Sequence, residues 1–189
     1  MAVAPTVGVL ALQGAFEVHR RALEELGART VLVRTERELD KCDALVLPGG
    51  ESTTMLKLLN DEHLLQPLAD FARRKPVMAT CAGVILLARE VTHPVQESLG
   101  ILDLTVERNG YGRQIDSCIA LIDLAGEPLE AVFIRAPVIH SVGPDVKTLA
   151  SMRGHPVLVE QGPHLAATFH PELTPDRRVH KLFLSKLKV

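Results

Sequence analysis

Tryptophan is missing from this 189-residue chain, and tyrosine occurs once. A surface that stacks nucleic-acid bases needs exposed aromatic rings, so such a platform is excluded. Charge of one sign is also scarce. The net charge is −2 and no basic block interrupts the sequence, which argues against nucleic acid as a partner. No apolar run is long enough to span a bilayer, and the N-terminal residues lack the basic and apolar regions of a signal peptide, so no membrane role is expected. Three cysteines, Cys42, Cys81 and Cys118, form neither an even set nor a CxxC pair. A disulfide framework and a zinc ribbon are therefore unexpected, and a reducing, cytoplasmic location fits best. No histidine pair has HExxH spacing, and neither GxGxxG nor GxxxxGK[ST] occurs. No metal, nucleotide or other cofactor is expected.

What remains is the composition of an ordinary globular protein, 47% hydrophobic and 23% charged. The length and the absence of a linker or repeat suit one domain over residues 1–189. In the first half, apolar runs alternate with helix-spaced segments. Strands are expected at Thr6–Leu12, Thr30–Val33, Ala44–Leu47 and from Val77. Helices are expected after Gln13-Gly14 up to Gly27, from a Ser52/Thr53 cap through Leu59, and from about Glu62 to Arg73. This order predicts a parallel sheet with helices on both faces. The second half reads as short strands separated by turn signals, among them Asn109-Gly110, Ala125-Gly126 and Gln161-Gly162, and is expected to be more antiparallel. An amphipathic helix from Arg178 to Lys188 closes the chain.

Three stretches carry chemistry. Val77-Met78-Ala79-Thr80 is a short β-prone run that ends at Cys81, and Ala82-Gly83 open an apolar helical segment. A nucleophile on a sharp strand-to-helix turn has this pattern, and a helix N-terminus favours the thiolate. A buried inert cysteine would look the same. Second, Thr168-Phe169-His170-Pro171-Glu172 ends a strand on a histidine, with a carboxylate two residues on. A thiolate hydrolase needs such a base and a group that orients it. Third, Pro48-Gly49-Gly50 ends a strand without blocking side chains, so the Gly50 N–H can serve an oxyanion hole with the N–H of Ala82. All three follow strands of a parallel sheet and should meet on one rim. The other seven histidines, His19 and His180 among them, have no comparable setting.

Together these stretches resemble class I, triad-type glutamine amidotransferases. The wording Leu47-Pro48-Gly49-Gly50-Glu51-Ser52-Thr53-Thr54-Met55, Val106-Glu107-Arg108-Asn109 and Phe133-Ile134-Arg135-Ala136-Pro137 is similar, more narrowly, to the glutaminase subunits of pyridoxal 5′-phosphate synthases. The resemblance runs along essentially the whole chain. It implies a three-layer, flavodoxin-like α/β fold and hydrolysis of L-glutamine to glutamate and ammonia. It implies Cys81 as nucleophile, His170 as base and Glu172 as its orienting group. It also implies glutamine contacts at Gly50, Glu51, Ser52, Arg108, Ile134 and Arg135. An arginine, Arg108 or Arg135, suits the substrate α-carboxylate. The implied partner is a (β/α)₈-barrel synthase subunit in a large hetero-oligomer, with Gln13-Gly14 and the rim loops as candidate contacts. One departure is visible: Ala79 stands where the related elbow often has glycine, and a slightly strained elbow is expected. Two other readings stay open at this point. One is a glutaminase for a different synthase, or a stand-alone γ-glutamyl hydrolase. The other is a non-catalytic regulatory scaffold.

Overall fold

The computed structural model describes residues 4–110 and 117–187. Tyr111, Gly112 and Arg113, part of the loop after Asn109, lie outside the described residues, as does Lys188 at the end of the expected last helix. The first half alternates as its apolar runs predict. The elements are β1 (Thr6–Leu10), α1 (Phe16–Glu25), β2 (Arg29–Val33), α2 (Glu36–Leu39), β3 (Ala44–Leu47), α3 (Ser52–Asp61), α4 (Leu65–Ala72), β4 (Val77–Thr80) and α5 (Ala82–Leu87). The second half brings β5 (Ala88–Thr92), β6 (Leu102–Glu107), β7 (Ser117–Leu124), β8 (Glu127–Ile134), β9 (Val138–Val142), β10 (Lys147–Met152), β11 (His155–Gln161) and β12 (His164–Ala167). A 3₁₀ turn at Pro171–Leu173 and α6 (Arg178–Ser185) follow.

The central sheet has seven strands in the order β10-β11-β12-β4-β3-β1-β2. From β12 to β2 every pair is parallel, and β10-β11-β12 are joined antiparallel. Every residue of β3, β4 and β12 is buried, so these strands carry continuous apolar runs rather than an alternation. Successive side chains go to opposite faces. Leu45 and Leu47 join one core with Met55, Leu59 and Leu86, whereas Val46 enters a second core with Met78, Phe169 and Phe183. Each such fully buried side chain contributes about 1.5–3 kcal/mol relative to exposure.

The pairing of β12 beside β4 positions the site. Ala166 stands opposite Ala79 and Ala167 opposite Thr80, so both strands end at the same level. Chain segments far apart in sequence therefore leave the sheet side by side, one into Cys81 and the other towards His170. The remaining strands form a sheet β5-β6-β9 and the hairpin β7-β8. Its turn residues Ala125 and Gly126 both have positive φ, 56° and 85°, the twist that a two-residue hairpin turn requires.

Several boundaries differ from expectation. Helix α3 is capped by Glu51 rather than by Ser52 or Thr53; the Glu51 carboxylate accepts from the N–H groups of Thr53 and Thr54 at 3.0 and 2.7 Å. Helix α4 begins at Leu65 rather than near Glu62, because His63 takes a left-handed conformation (φ 56°) that ends the preceding turn. Helix α1 and the Gly27 stop (φ 84°) are as expected, whereas α2, β5 and β10 carry too little pattern to be read in advance. Among the described residues no helix is long and apolar enough to cross a membrane.

Candidate active site

Cys81 leaves β4 in a conformation that few non-glycine residues adopt, φ 47° and ψ −107°. Such backbone costs on the order of 1–3 kcal/mol and persists only where the surroundings hold it. Here the Cys81 N–H is tied to Ala167 O at 2.9 Å, and Val84 N–H closes the first turn of α5 on Cys81 O at 3.0 Å. The strain expected of this elbow is thus carried at Cys81 itself; Ala79 sits buried in regular strand pairing. Gly83 lets α5 start close against the sheet, since a Cβ there would lie 2.5 Å from Leu47 O.

His170 follows β12 and is 7% exposed. Its N–H donates to Val132 O of the hairpin at 2.8 Å, and the preceding Phe169 ring packs at 5.7 Å on Phe133. Its Nδ1 lies 2.7 Å from Glu172 Oε1, and Glu172 is itself buried. Pro171 starts the short 3₁₀ turn that brings the carboxylate back onto the ring. Burial alone would lower the imidazole, but the neighbouring Cys81 and the hydrogen-bonded Glu172 carboxylate overcome this, and the pKa is raised to about 10. Burial likewise pushes Glu172 up, and His19 and His170 outweigh it, holding the carboxyl below its ordinary range. The thiol donates to Ile134 O at a long 3.8 Å, and His170 stands beside it as the neighbouring base.

Gly49 sits between the two. A Cβ added there would lie 2.4 Å from His170 Cε1 and 3.2 Å from Cys81 Cβ. The Gly49 carbonyl accepts from Ala15 N–H at 3.3 Å. In a trans peptide the next N–H points the opposite way, so the Gly50 N–H is directed away from Ala15. Neither it nor the Ala82 N–H at the start of α5 donates to another described residue.

Cys81, His170, Gly50 and Ala82 line a cavity of about 280 Å³, which also takes in Glu51, Ser52, Arg108, Ile134 and Arg135. Every residue named from sequence thus reaches the cavity except Glu172, which stands behind His170. Gln13, Ile85 and Asn109 complete the lining. Gln13 Oε1 accepts from Glu51 N–H at 3.0 Å and braces the loop after β3. The two arginines differ. Arg108 is engaged with Glu51 Oε1 at 3.2 Å and Thr53 Oγ1 at 2.9 Å. Burial pushes the Glu51 carboxyl up, but its helix-capping bonds prevail and bring it down to about 2, so it stays ionised. Arg135, held at φ 42° after β8, is exposed and has no ion pair among the described residues. Ser52 Oγ donates to Gln96 Oε1 at 2.9 Å.

His19 is the residue that sequence reasoning passed over. It is fully buried, with Nε2 3.3 Å from Glu172 Oε2, and behind it His180 Nε2 lies 3.1 Å from His19 Nδ1. Only one signal was available: His19 interrupts the otherwise apolar inner face of α1. Among the described residues no group of three or more histidine, cysteine or acidic side chains is placed to hold a metal ion.

A thiol on a strained turn, a raised imidazole fixed by a buried carboxylate, and two N–H groups without an acceptor among the described residues beside a polar cavity can carry out acyl transfer from a small amide. Comparison with known proteins gives the same direction. Residues 9–189 match the SNO glutamine amidotransferase family. The chain is 57% identical over 189 residues to the pyridoxal 5′-phosphate synthase subunit PdxT of Solibacter usitatus, covering 96% of this chain and 98% of that one. It is 53% identical over 187 residues to the protein of the same name from Deinococcus radiodurans, covering 95% of each. A crystal structure of a glutamine amidotransferase superposes with a TM-score of 0.90 at 43% identity, covering 97% of this chain and 99% of that one.

Proposed function

The chain belongs to the SNO glutamine amidotransferase family, and on that premise we propose that it is the glutaminase subunit of a pyridoxal 5′-phosphate synthase. It hydrolyses L-glutamine to glutamate and ammonia. The observation that carries the chemistry is the Cys81–His170–Glu172 arrangement beside the free Gly50 and Ala82 N–H groups.

In this reading the Cys81 thiolate attacks the side-chain amide carbon of glutamine. The Gly50 and Ala82 N–H groups receive the oxyanion. The His170 imidazolium gives its proton to the departing ammonia, leaving a γ-glutamyl thioester. Neutral His170 then takes a proton from water, whose oxygen attacks the thioester and releases glutamate. Glu172 keeps the His170 Nδ1 proton in place throughout, so that Nε2 does the transfer. Arg135, exposed at the mouth with no ion pair among the described residues, is suited to the substrate α-carboxylate, and Arg108 with Glu51 to shaping the wall around the α-carbon; backbone at Ile134 and the Ser52 side complete the fit.

Ammonia released by a chain of this size has to be used elsewhere, and the name shared by its relatives makes them subunits of a synthase. We therefore place the protein with a (β/α)₈-barrel synthase subunit in a hetero-oligomer, in the cytoplasm, where its free thiols would stay reduced. Exposed apolar side chains support docking near the site. Ile119 and Leu121 of β7 are 67% and 74% exposed, on the hairpin whose other strand ends at Ile134.

The test is ammonia release from glutamine by the wild type and Cys81→Ala, each with and without the synthase subunit. Wild type is expected to be active and strongly stimulated by the partner, and Cys81→Ala inactive with its fold retained. Ammonia release by Cys81→Ala at the wild-type rate would refute the assignment. Partner-free turnover of γ-glutamyl peptides would instead favour a stand-alone hydrolase.

A further inference from the structure

We propose that His19 is a positioning residue of the glutaminase reaction, holding the free oxygen of the Glu172 carboxylate so that its other oxygen stays on His170. The inference rests on the reading of Cys81, His170 and Glu172 given above. Glu172 uses Oε1 for His170 Nδ1 at 2.7 Å. Its Oε2 is buried and has no hydrogen-bond partner among the described residues. The side chain of His19, wholly buried, places Nε2 3.3 Å from this oxygen and 3.2 Å from Thr80 Oγ1. A carboxylate with one bare oxygen can turn about its terminal bond; the His19 ring edge 3.3 Å from the second oxygen opposes that turn by electrostatic attraction and by packing.

The close approach of His19 Nε2 to the Glu172 carboxylate selects one tautomer, because a lone pair on Nε2 would be repelled. A carboxylate only accepts, so His19 must carry its proton on Nε2 to face it. A neutral ring has one proton, so His19 Nδ1 must accept, and the donor is His180 Nε2 at 3.1 Å. That leaves His180 Nδ1 without a hydrogen, and it is indeed a buried atom with no partner. Burial lowers His19, and it takes His180 down to about 3, so both rings are neutral near pH 7. The result is a one-directional array, from His180 to His19 to Glu172, that meets the Nδ1–H of His170 coming from the other side. Thr80, whose Oγ1 lies 3.2 Å from His19 Nε2, is the residue directly before the nucleophile. One buried array thus ties α1 and α6 to the catalytic elbow and the base at once.

The experiment is steady-state glutamine hydrolysis by the complex with the synthase subunit, using His19→Phe and His19→Gln. Phenylalanine keeps the volume and removes the donor; the glutamine amide can put an N–H group where Nε2 stands. His19→Phe is expected to lower kcat about ten- to a hundredfold, with KM for glutamine within about twofold. His19→Gln is expected to recover most of kcat. Wild-type kcat in His19→Phe, an equal loss in both variants, or a loss confined to KM would overturn the proposal. If His19→Phe fails to fold, His19→Gln and His180→Phe carry the test. His180→Phe removes the donor that sets the His19 tautomer, so a lowered kcat beside an active His19→Gln supports the proposal, and wild-type kcat in His180→Phe overturns it. Wild type and Cys81→Ala run in the same assay separate the two levels. If Cys81→Ala is inactive and His19→Phe is not impaired, only the role of His19 fails; if Cys81→Ala is active, the glutaminase assignment itself fails.

Discussion

Cys42 and Cys81 are both buried thiols, 0% and 5% exposed, each near the end of a short element beside the central sheet. Their surroundings make them chemically unlike. Cys42 packs in the apolar core, so tightly that a Cβ on Gly8 would lie 2.8 Å from its sulfur, and its thiol donates to Glu38 O at 3.3 Å. Burial pushes its pKa up to about 11. Cys81 is turned out of the sheet by its positive φ, onto a polar cavity with an imidazole raised to about 10. Burial by itself silences a thiol. Reactivity needs a backbone path to a polar rim and a base that can hold the proton.

The sharpest way to break this comparison is selective labelling. A thiol-reactive glutamine analogue is expected to modify Cys81 in the folded protein and leave Cys42 untouched, with both modified after unfolding; peptide mass mapping reads the result. Comparable labelling of Cys42 in the folded state would break the contrast. Next in size is Glu172→Gln, which keeps the shape but lets the His170 ring take the wrong tautomer. A drop in kcat of about 10²–10⁴-fold is expected, measured by ammonia release. Gly49→Ala follows, because the added methyl meets His170 Cε1 at 2.4 Å and must push the ring from its place. About tenfold or more should be lost from kcat, with a smaller fall in thermal stability.

The pH dependence of stability sharpens the comparison further. His170 is raised from 6.5 to about 10, so its contribution is complete below pH 6.5 and is lost as pH climbs towards 10. Cys42, raised from 9.0 to about 11, loses its contribution only above pH 9. Between pH 6.5 and 9 the alkaline loss should therefore come from the His170 side alone. Glu172→Gln should flatten it, and Cys42→Ala should not, by denaturant midpoints at each pH. On the acid side His180, lowered to about 3, opposes folding increasingly as pH falls below 6.5. The smallest effect is that of Cys42→Ala on activity: glutaminase unchanged, with a stability loss of about 1 kcal/mol for the lost sulfur contacts.

The strands of the first half were legible because burial on both faces demands continuous apolar runs, as in Ala44–Leu47 and Val77–Thr80. The elbow was legible because small residues must follow the nucleophile. The cap of α3 was expected at Ser52 or Thr53 and is Glu51. Its longer side chain reaches the Thr53 and Thr54 N–H groups that Ser52, already helical, cannot. β5 was hidden because Ala88 follows α5 without any breaking residue. His19 was hidden because one polar residue on an apolar helical face says nothing about what it meets.

The sequence by itself determined the alternation of strands and helices, the places where strands end in Cys81, His170 and Gly49-Gly50, and the family. Local patterning and backbone chemistry suffice for these, because each is a matter of neighbouring residues. The tertiary structure alone decided that Glu172 stands behind the cavity with His19 and His180 rather than in it. It alone left Arg135 without an ion pair among the described residues while Arg108 pairs with Glu51, and it buried Cys42 in an apolar core. These depend on contacts between segments up to 161 positions apart, as between His19 and His180, where packing and desolvation, not sequence spacing, set the protonation and the partner of each group.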